Sequence, residues 1–415
     1  MELILYNVFC ISLFFWVTGS VKYESSLPLI CYLTGVILAE AWVLIMKCAG
    51  RDKTTNAGAM MVAVLINIGM AVNYRCTDVS NGLKELLENS YVMDLVLMLI
   101  AFAVVYLMVR FTNLYKSRMF NQFIAIVLPV CIFGARLSGR TSGGSYIYFA
   151  GFIIFGSVLM GFPFVSAWCM ASRENRYWNG KVGNISWNLI GYLFYMFLLY
   201  GGCLLCNEMG LLLILGLCGT VLFLIRCKDL KSKIFYISAC AGGALAAGMG
   251  VTHVWNRVQI WLSPHKAFTN VNLMEQAESV LYLFRHIKMM GYWGRGWGSL
   301  PKSIYPTLES DHALITVLND CGVLFLAVVL VLSVLLVRWM LVSPKMADTY
   351  DRYLNLCCAL IVGLNILINS AMCLGSFPTA GLGFPWISSG GSVGIMLIVQ
   401  LAVHCGLLAK GGNEN

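Results

Sequence analysis

The sequence predicts an all-α polytopic membrane protein of about 12 transmembrane helices, with a large extracytoplasmic loop at 252–311. Composition is the first reason: 59% of residues are hydrophobic and 11% charged, against about 25% charged in a soluble domain. Mean hydropathy is +0.79. Apolar runs repeatedly reach the roughly 20 residues that a helix needs to cross a bilayer. They are continuously apolar rather than alternating, which selects helices over a β-barrel. Basic residues gather in every second loop, the signature of the cytoplasmic side.

Taken in order, the first run, 2–19, begins at Glu2 with no basic segment before it, so it is expected as a retained helix rather than a cleaved signal peptide. The second, 27–48, carries Glu40, a carboxylate to which the sequence assigns no role. Spans follow near 57–74, 91–110, 120–136, 145–170, 187–205, 209–226, 233–251, 312–340, 353–375 and 387–409. With the N-terminus inside, the cytoplasmic loops hold Lys47, Arg51 and Lys53, then Arg110, Lys116 and Arg118, then Arg173, Arg176 and Lys181. Arg226, Lys228, Lys231 and Lys233, and finally Arg338, Lys345 and Arg352, complete the set. Both termini are therefore expected in the cytoplasm.

The formal net charge of +9 reflects this loop asymmetry. No basic segment is long or aromatic-interleaved enough to make a nucleic-acid groove. Most of the sixteen cysteines fall within spans, where Cys behaves as a small apolar residue. Cys203 and Cys206 have a redox spacing without the βαβ setting of a redox motif, so packing is the expected role. Five scattered His residues without partners at ligand spacing argue against a zinc site.

Residues 252–311 are far too long for a simple connection. They carry Trp255, Trp261, Tyr282, Phe284, Tyr292, Trp293 and Trp297 among Arg257, Lys266, Arg285, Lys288, Arg295 and Lys302. Rings and cations suit the membrane interface and its phosphates. The segment 273–290 is expected as a helix on or dipping into the outer surface. A lid that merely caps the bundle is the plainer reading, but the cation density favours a site for an anionic lipid or its pyrophosphate.

The stretch "YPTLESDHALITVLNDCGVL" (Tyr305–Leu324) sets Glu309, Ser310, Asp311 and His312 at the mouth of an apolar run, with Asn319 and Asp320 inside it. Ionisable groups at such depth are costly and point to function. From position alone, Asp311 could equally be a helix N-cap. Asp320, inside the helix, needs a partner and suits ion pairing or packing support.

Four motifs in register resemble one family. "RVQIWLSP" (Arg257–Pro264), "GYWGRGWG" (Gly291–Gly298), the stretch just quoted and "FPTAGLGFPWISSGGS" (Phe377–Ser392) are together similar to the SEDS proteins, the FtsW/RodA/SpoVE-type peptidoglycan glycosyltransferases. That family has ten membrane helices, which correspond to the spans from 57 onward. Residues 1–56 would then be two additional N-terminal helices, and 57–415 the SEDS-like domain. By resemblance, Pro306 and Asp311 fall on the family's Pro and catalytic Asp, Asn319 and Asp320 on its acidic pair, and Gly322 on its Gly. Pro378, Gly381, Pro385, Ser388, Gly390, Gly391 and Ser392 match its Pro-rich and Ser-x-Gly-Gly-Ser element, and Asn369 matches in the preceding helix. The N-terminal half departs from the pattern. "FGSV" (Phe155–Val158) keeps only Ser157 of Gln-Pro-Ser-Glu, "NEMG" (Asn207–Gly210) replaces Pro-Asp-Leu-Gly with Glu208 for the acid, and Arg136 or Arg140 stands for a basic group.

The resemblance implies polymerisation of lipid II at the outer face of the bacterial cell membrane. The 4-hydroxyl of an incoming disaccharide attacks the anomeric carbon of the growing chain, and undecaprenyl pyrophosphate leaves with inversion. A carboxylate can take the hydroxyl proton, which makes Asp311 the implied general base. The leaving pyrophosphate needs cations or a divalent metal, Mg²⁺ or Mn²⁺. Arg257, Lys288, Arg295 and Lys302 are the cationic candidates, and a metal would have few ligands beyond Asp311 and Glu309. The implied partner is a class B penicillin-binding protein. A lipid II transporter would show charge along an interior path, whereas the polar membrane residues here cluster toward one face. A non-catalytic scaffold would explain "FGSV" but leaves the Asp311 register unexplained.

Overall fold

Inside a bilayer a backbone N–H or C=O has no water to bond, so a long apolar run must close its own ladder of helical hydrogen bonds. The computed structural model describes residues 53–75, 90–138, 148–149, 152–171, 181–182, 185–206, 208–250, 252–268, 291–296, 310–342, 348–388 and 391–411, with single positions at 37, 40, 274, 277, 280, 281, 284, 285, 287 and 346. Among them, ten helices of 18 residues or more run in the expected order. They are α1 (Lys53–Arg75), α2 (Ser90–Phe111), α3 (Arg118–Ser138), α4 (Ile154–Ala171), α5 (Trp187–Leu205), α6 (Met209–Arg226) and α7 (Leu230–Gly250). Two short helices, α8 (Thr252–Leu262) and α9 (Pro264–Phe268), precede α10 (Ala313–Val342), α11 (Thr349–Cys373) and α12 (Gly391–Gly411). Helices α6, α10 and α11 are each long and apolar enough to cross a membrane, and six shorter apolar stretches lie in α1 to α5 and α12. The protein is a multi-pass helical membrane protein. The spans expected at 2–19 and 27–48 lie outside the described residues, apart from helical Ile37 and Glu40.

One expectation is corrected and two gain detail. The span drawn at 145–170 starts late, because Tyr148–Phe149 (β1) and Phe152–Ile153 (β2) pair antiparallel before α4 begins. Aromatic and β-branched residues around Gly151 suit a hairpin as well as they suit lipid. A second hairpin, Lys181–Val182 (β3) with Ile185–Ser186 (β4), precedes α5, so the protein is not wholly free of strands. The long segment 252–311 carries helix, as expected of its part at 273–290. It contains α8 and α9, and Met274, Ala277, Val280, Leu281, Phe284, Arg285 and Ile287 are all helical, inside the surface helix expected at 273–290.

Surface and core are inverted relative to a soluble bundle. Along α3, Met119, Phe123, Ile126, Val130 and Leu137 are exposed at helical spacing, an apolar stripe that suits lipid and not water. Polar side chains go inward instead: Asn67, Asn121, Asn319, Asp320, Asn365, Asn369, Gln400 and His404 are all buried.

The chain divides into two units. In the unit made of Met1–Ala103, Ser263–Ser343 and Asn365–Ile398, α1 packs on α10. Gly58 lies under the Trp339 indole, where an added Cβ would sit 2.6 Å from the ring. Small residues at such crossings let helices approach closely where no hydrophobic effect drives them together. Asn73 Nδ2 donates to Gly69 O at 2.7 Å and to Ile387 O at 3.1 Å, joining α1 to the segment before α12.

In the unit made of Val104–Leu262, Pro344–Leu364 and Val399–Asn415, α3 packs on α4 and α5, and α5 on α6. Gly202 admits Ile132, and Gly219 admits Met196. Cys203 and Cys206 are buried, and the Cys206 thiol donates to Ile132 O at 3.4 Å, a packing role as expected. A polar network closes one end of this unit. Lys116 Nζ bridges Asp348 Oδ2 at 2.5 Å and Asp351 Oδ2 at 2.7 Å. Tyr115 OH donates to Asp351 Oδ1 at 3.1 Å, and Tyr350 OH to Tyr115 O at 2.9 Å. Burial alone would raise the Asp348 carboxyl, but the Lys116 ammonium and the Tyr350 amide outweigh it and hold it below its ordinary value.

Candidate active site

The site is built where α10 begins. Ser310, Asp311 and His312 form a half-buried turn, and every residue from Ala313 to Gly322 is buried. The His312 carbonyl accepts Ile315 N at 2.9 Å and Thr316 N at 3.4 Å, which makes His312 the N-cap residue. Asp311 stands one position before the cap. The capping role open to it in the sequence therefore passes to its neighbour.

Asp311 is fixed through its backbone. Its carbonyl accepts Asn369 Nδ2 at 3.0 Å and the Cys373 thiol at 3.5 Å, both from the end of α11. Asn369 is fully buried, and the same Nδ2 donates a second, short bond to Leu382 O. One amide thus ties the peptide of Asp311 to the Pro-rich segment that follows α11. The side chain faces that segment too: a Cβ built on Gly381 would lie 3.9 Å from Asp311 Oδ2. Gly381 has φ +67, a conformation that glycine enters without steric cost. At Gly383, a Cβ would lie 2.9 Å from Ser388 Cβ and 3.8 Å from Ser310 O. Ser388 Oγ accepts Phe384 N at 2.7 Å, so it holds the local turn.

The sequence candidates therefore separate. Asp311, Asn369, Gly381 and Ser388 come together, with Pro378 and Pro385 in the same segment. Gly391 and Ser392 open α12. Asp320 is fully buried and accepts a bond from Asn319 Nδ2 at 2.7 Å. Arg295 is exposed in the 291–296 loop, and Arg257 lies on α8. Pro306, Lys288, Lys302, Glu309 and Gly390 lie outside the described residues. Ser157 lies on α4 and Glu208 precedes α6. Among the described residues no three His, Cys, Asp or Glu groups converge as a metal site. Glu309, the second carboxylate expected to hold such an ion, lies outside the described residues.

Two features carried little signal in the sequence. Cys373 touches the Asp311 carbonyl, but a cysteine in a span reads as packing. Gly322 has φ +85 and ψ 177 inside α10 and breaks the helix. The loop carrying "GYWGRG" lies against that break: Arg295 N donates to Asn319 O at 2.8 Å and Gly296 N to Asp320 O at 3.2 Å.

With this geometry in hand, comparison with known proteins is specific. The FtsW/RodA/SpoVE family model, described as cell cycle protein, matches residues 56–410. A protein of Caulobacter vibrioides named probable peptidoglycan glycosyltransferase FtsW is 31% identical over 176 residues, covering 41% of this chain and 43% of that one. A protein of the same name from Trichlorobacter lovleyi is 23% identical over 302 residues, covering 67% of this chain and 74% of that one. The chain thus spans less than half of the first relative's length. Among solved structures, a chain from a peptidoglycan synthase complex, reported for its coordination of polymerization and crosslinking, superposes with a TM-score of 0.64 at 16% identity, covering 86% of this chain and 97% of that one. That likeness concerns the fold.

Proposed function

The chain belongs to the FtsW/RodA/SpoVE family of cell cycle proteins, and from that premise we propose that it is a peptidoglycan glycosyltransferase that polymerises lipid II, with Asp311 as general base. The observation that carries the reading is the placement of Asp311. Its carboxylate sits at the mouth of a buried helix, its peptide is held by a buried amide, and its side chain faces a glycine rather than a bulky group.

In the reaction, the 4-hydroxyl oxygen of one disaccharide forms a bond to the anomeric carbon of the other. The bond from that carbon to the pyrophosphate oxygen breaks on the opposite face, so configuration inverts. Asp311 accepts the hydroxyl proton as the new bond forms, and later returns it to water. Such assistance supplies about a hundredfold or more. Arg257 and Arg295, with Lys288 and Lys302, are the cations proposed for the departing pyrophosphate. Lipid II is the proposed substrate and a class B penicillin-binding protein the proposed partner. The basic loops support an orientation with both termini in the cytoplasm and 252–311 outside.

The test is glycan formation from purified protein and lipid II, comparing wild type with Asp311→Asn. Since the cap belongs to His312 and Asn369 bonds the Asp311 backbone, the variant should insert and melt like wild type. Its polymerisation should fall by about a hundredfold or more. Near-normal glycan from a folded Asp311→Asn protein would overturn the assignment.

A further inference from the structure

The break at Gly322 is filled by another part of the chain, and the match is bond for bond. In an unbroken helix Val323 N would bond Asn319 O, and Leu324 N would bond Asp320 O. Here those two carbonyls accept Arg295 N at 2.8 Å and Gly296 N at 3.2 Å. The two displaced amides donate instead to Gly291 O at 3.3 Å and Tyr292 O at 3.4 Å. Two lost helical bonds become four bonds to the loop. Backbone this irregular within a membrane helix persists only when it is satisfied in this way.

Close approach depends on glycine at two positions. A Cβ on Gly294, at φ +73, would lie 2.5 Å from the Asp320 carbonyl oxygen and 2.6 Å from Gly322 N. A Cβ on Gly322 would run into the Tyr292 carbonyl. At Gly291, three residues before Gly294, a Cβ would meet nothing within 4 Å. The break isolates a short buried helix, Ala313–Cys321, with Asp311 just before its first turn. That helix is held at its start by Asn369 on the Asp311 carbonyl and at its end by the loop.

We propose that the 291–296 loop is a positioning clamp for Asp311, with Gly294 and Gly322 as the residues that let it close. The short helix cannot slide or rotate as a continuation of α10, because the break uncouples it. Its position is set by the outer loop instead. Movement of that loop would be transmitted to the reacting carboxylate through two turns of buried helix. The inference rests on Asp311 being the base in the reaction proposed above.

Hydrogen exchange on the wild-type protein tests the clamp without reference to activity. The amides of 295, 296, 323 and 324 should be protected and should open together. Exchange of 295 and 296 at free-loop rates would overturn the clamp and leave the function of Asp311 untouched. Kinetics then test the positioning role. Gly294→Ala should speed exchange at all four amides and lower kcat by about tenfold to a hundredfold with little change in KM, the expected cost of a base displaced by about an ångström. Gly242→Ala, on α7 and outside the loop, adds the same methyl to open space and should match wild type in both measurements. Normal kcat in a folded Gly294→Ala protein, or an equal loss in both variants, would overturn the proposal. Should Gly294→Ala fail to insert, the wild-type exchange pattern still decides whether the clamp exists.

Discussion

Replacing Asn369 with Leu removes a side chain that joins the Asp311 peptide to the Pro-rich segment. Its Nδ2 makes two bonds, to Asp311 O at 3.0 Å and to Leu382 O, from a fully buried position. A buried hydrogen bond is worth about 0.5–1.5 kcal/mol net, and interhelical bonds in membranes average about 0.6 kcal/mol. Two of them give about 1–3 kcal/mol. The lower half of that range is expected, since the Asp311 carbonyl keeps the Cys373 thiol as a second donor. Thermal unfolding in detergent should therefore show a clear but survivable loss. Polymerisation from lipid II should fall further, by about tenfold to a hundredfold in kcat, because the base is no longer held. Asn369→Asp sharpens the test. An ionised carboxylate would donate to neither carbonyl and would repel both, so it should be worse than Leu in melting and in turnover. If Asn369→Leu melts and turns over like wild type, or if Asp is the milder change, the two bonds do not hold the site.

Two further outcomes follow from the structure. Lys116→Met should cost about 1–2 kcal/mol, between the values for exposed and buried pairs, because it strands the buried Asp351 carboxylate while Asp348 is about half exposed. The sign of the pH effect is fixed. Asp348 is depressed below its ordinary 3.8, so its contribution is complete above that value and is lost as pH falls through the folded value. Lys116 is raised above 10.5 because the two aspartates outweigh burial, so its contribution is complete below 10.5 and is lost as pH rises through the folded value. Burial raises Asp351 above its ordinary value even with Lys116 beside it, so the melting difference between wild type and Lys116→Met should grow as pH rises out of the acid range and the carboxylates ionise; a difference that shrinks over that climb would count against the bridge. Single-cysteine variants should place Lys228 on the cytoplasmic side and Lys266 outside, as the basic loops require; external labelling at Lys228 would invert the topology.

The sequence revealed what depends on composition and concealed what depends on backbone. Ten spans were legible because each apolar run had to be a helix, whatever its neighbours were. The overrun at 145–170 shows the limit of that rule: Tyr148–Ile153 is apolar, yet it pairs as a hairpin, and hydropathy cannot tell a strand from a helix over six residues. Asp311 was legible because a carboxylate at a membrane boundary is costly enough to need a reason. Its exact relation to the cap was not, since helix starts inferred from residue type are uncertain by a residue or two. The clamp consists almost wholly of main-chain bonds, so its only trace was glycine at 294 and 322. Lys116, Asp348 and Asp351 looked like ordinary loop charges because their meeting joins positions more than 230 residues apart.

The polar groups around Asp311 fall into two kinds, and the division has a consequence. Asn73, Asn369 and Ser388 each bond main-chain groups of the irregular segment between α11 and α12, while the 291–296 loop serves the broken helix. Irregular backbone at membrane depth demands such partners, so these groups are accounted for by the architecture alone. A carboxylate could not replace Asn73 or Asn369 there, since it offers no donor to the carbonyls they serve. The carbonyl of Asp311 belongs to the scaffold; its side chain does not have to. Substitutions in the amides should therefore move stability and kcat together. Substitution of the Asp311 carboxylate should move kcat alone. A stability loss in Asp311→Asn as large as that of Asn369→Leu would erase the distinction and return Asp311 to the scaffold.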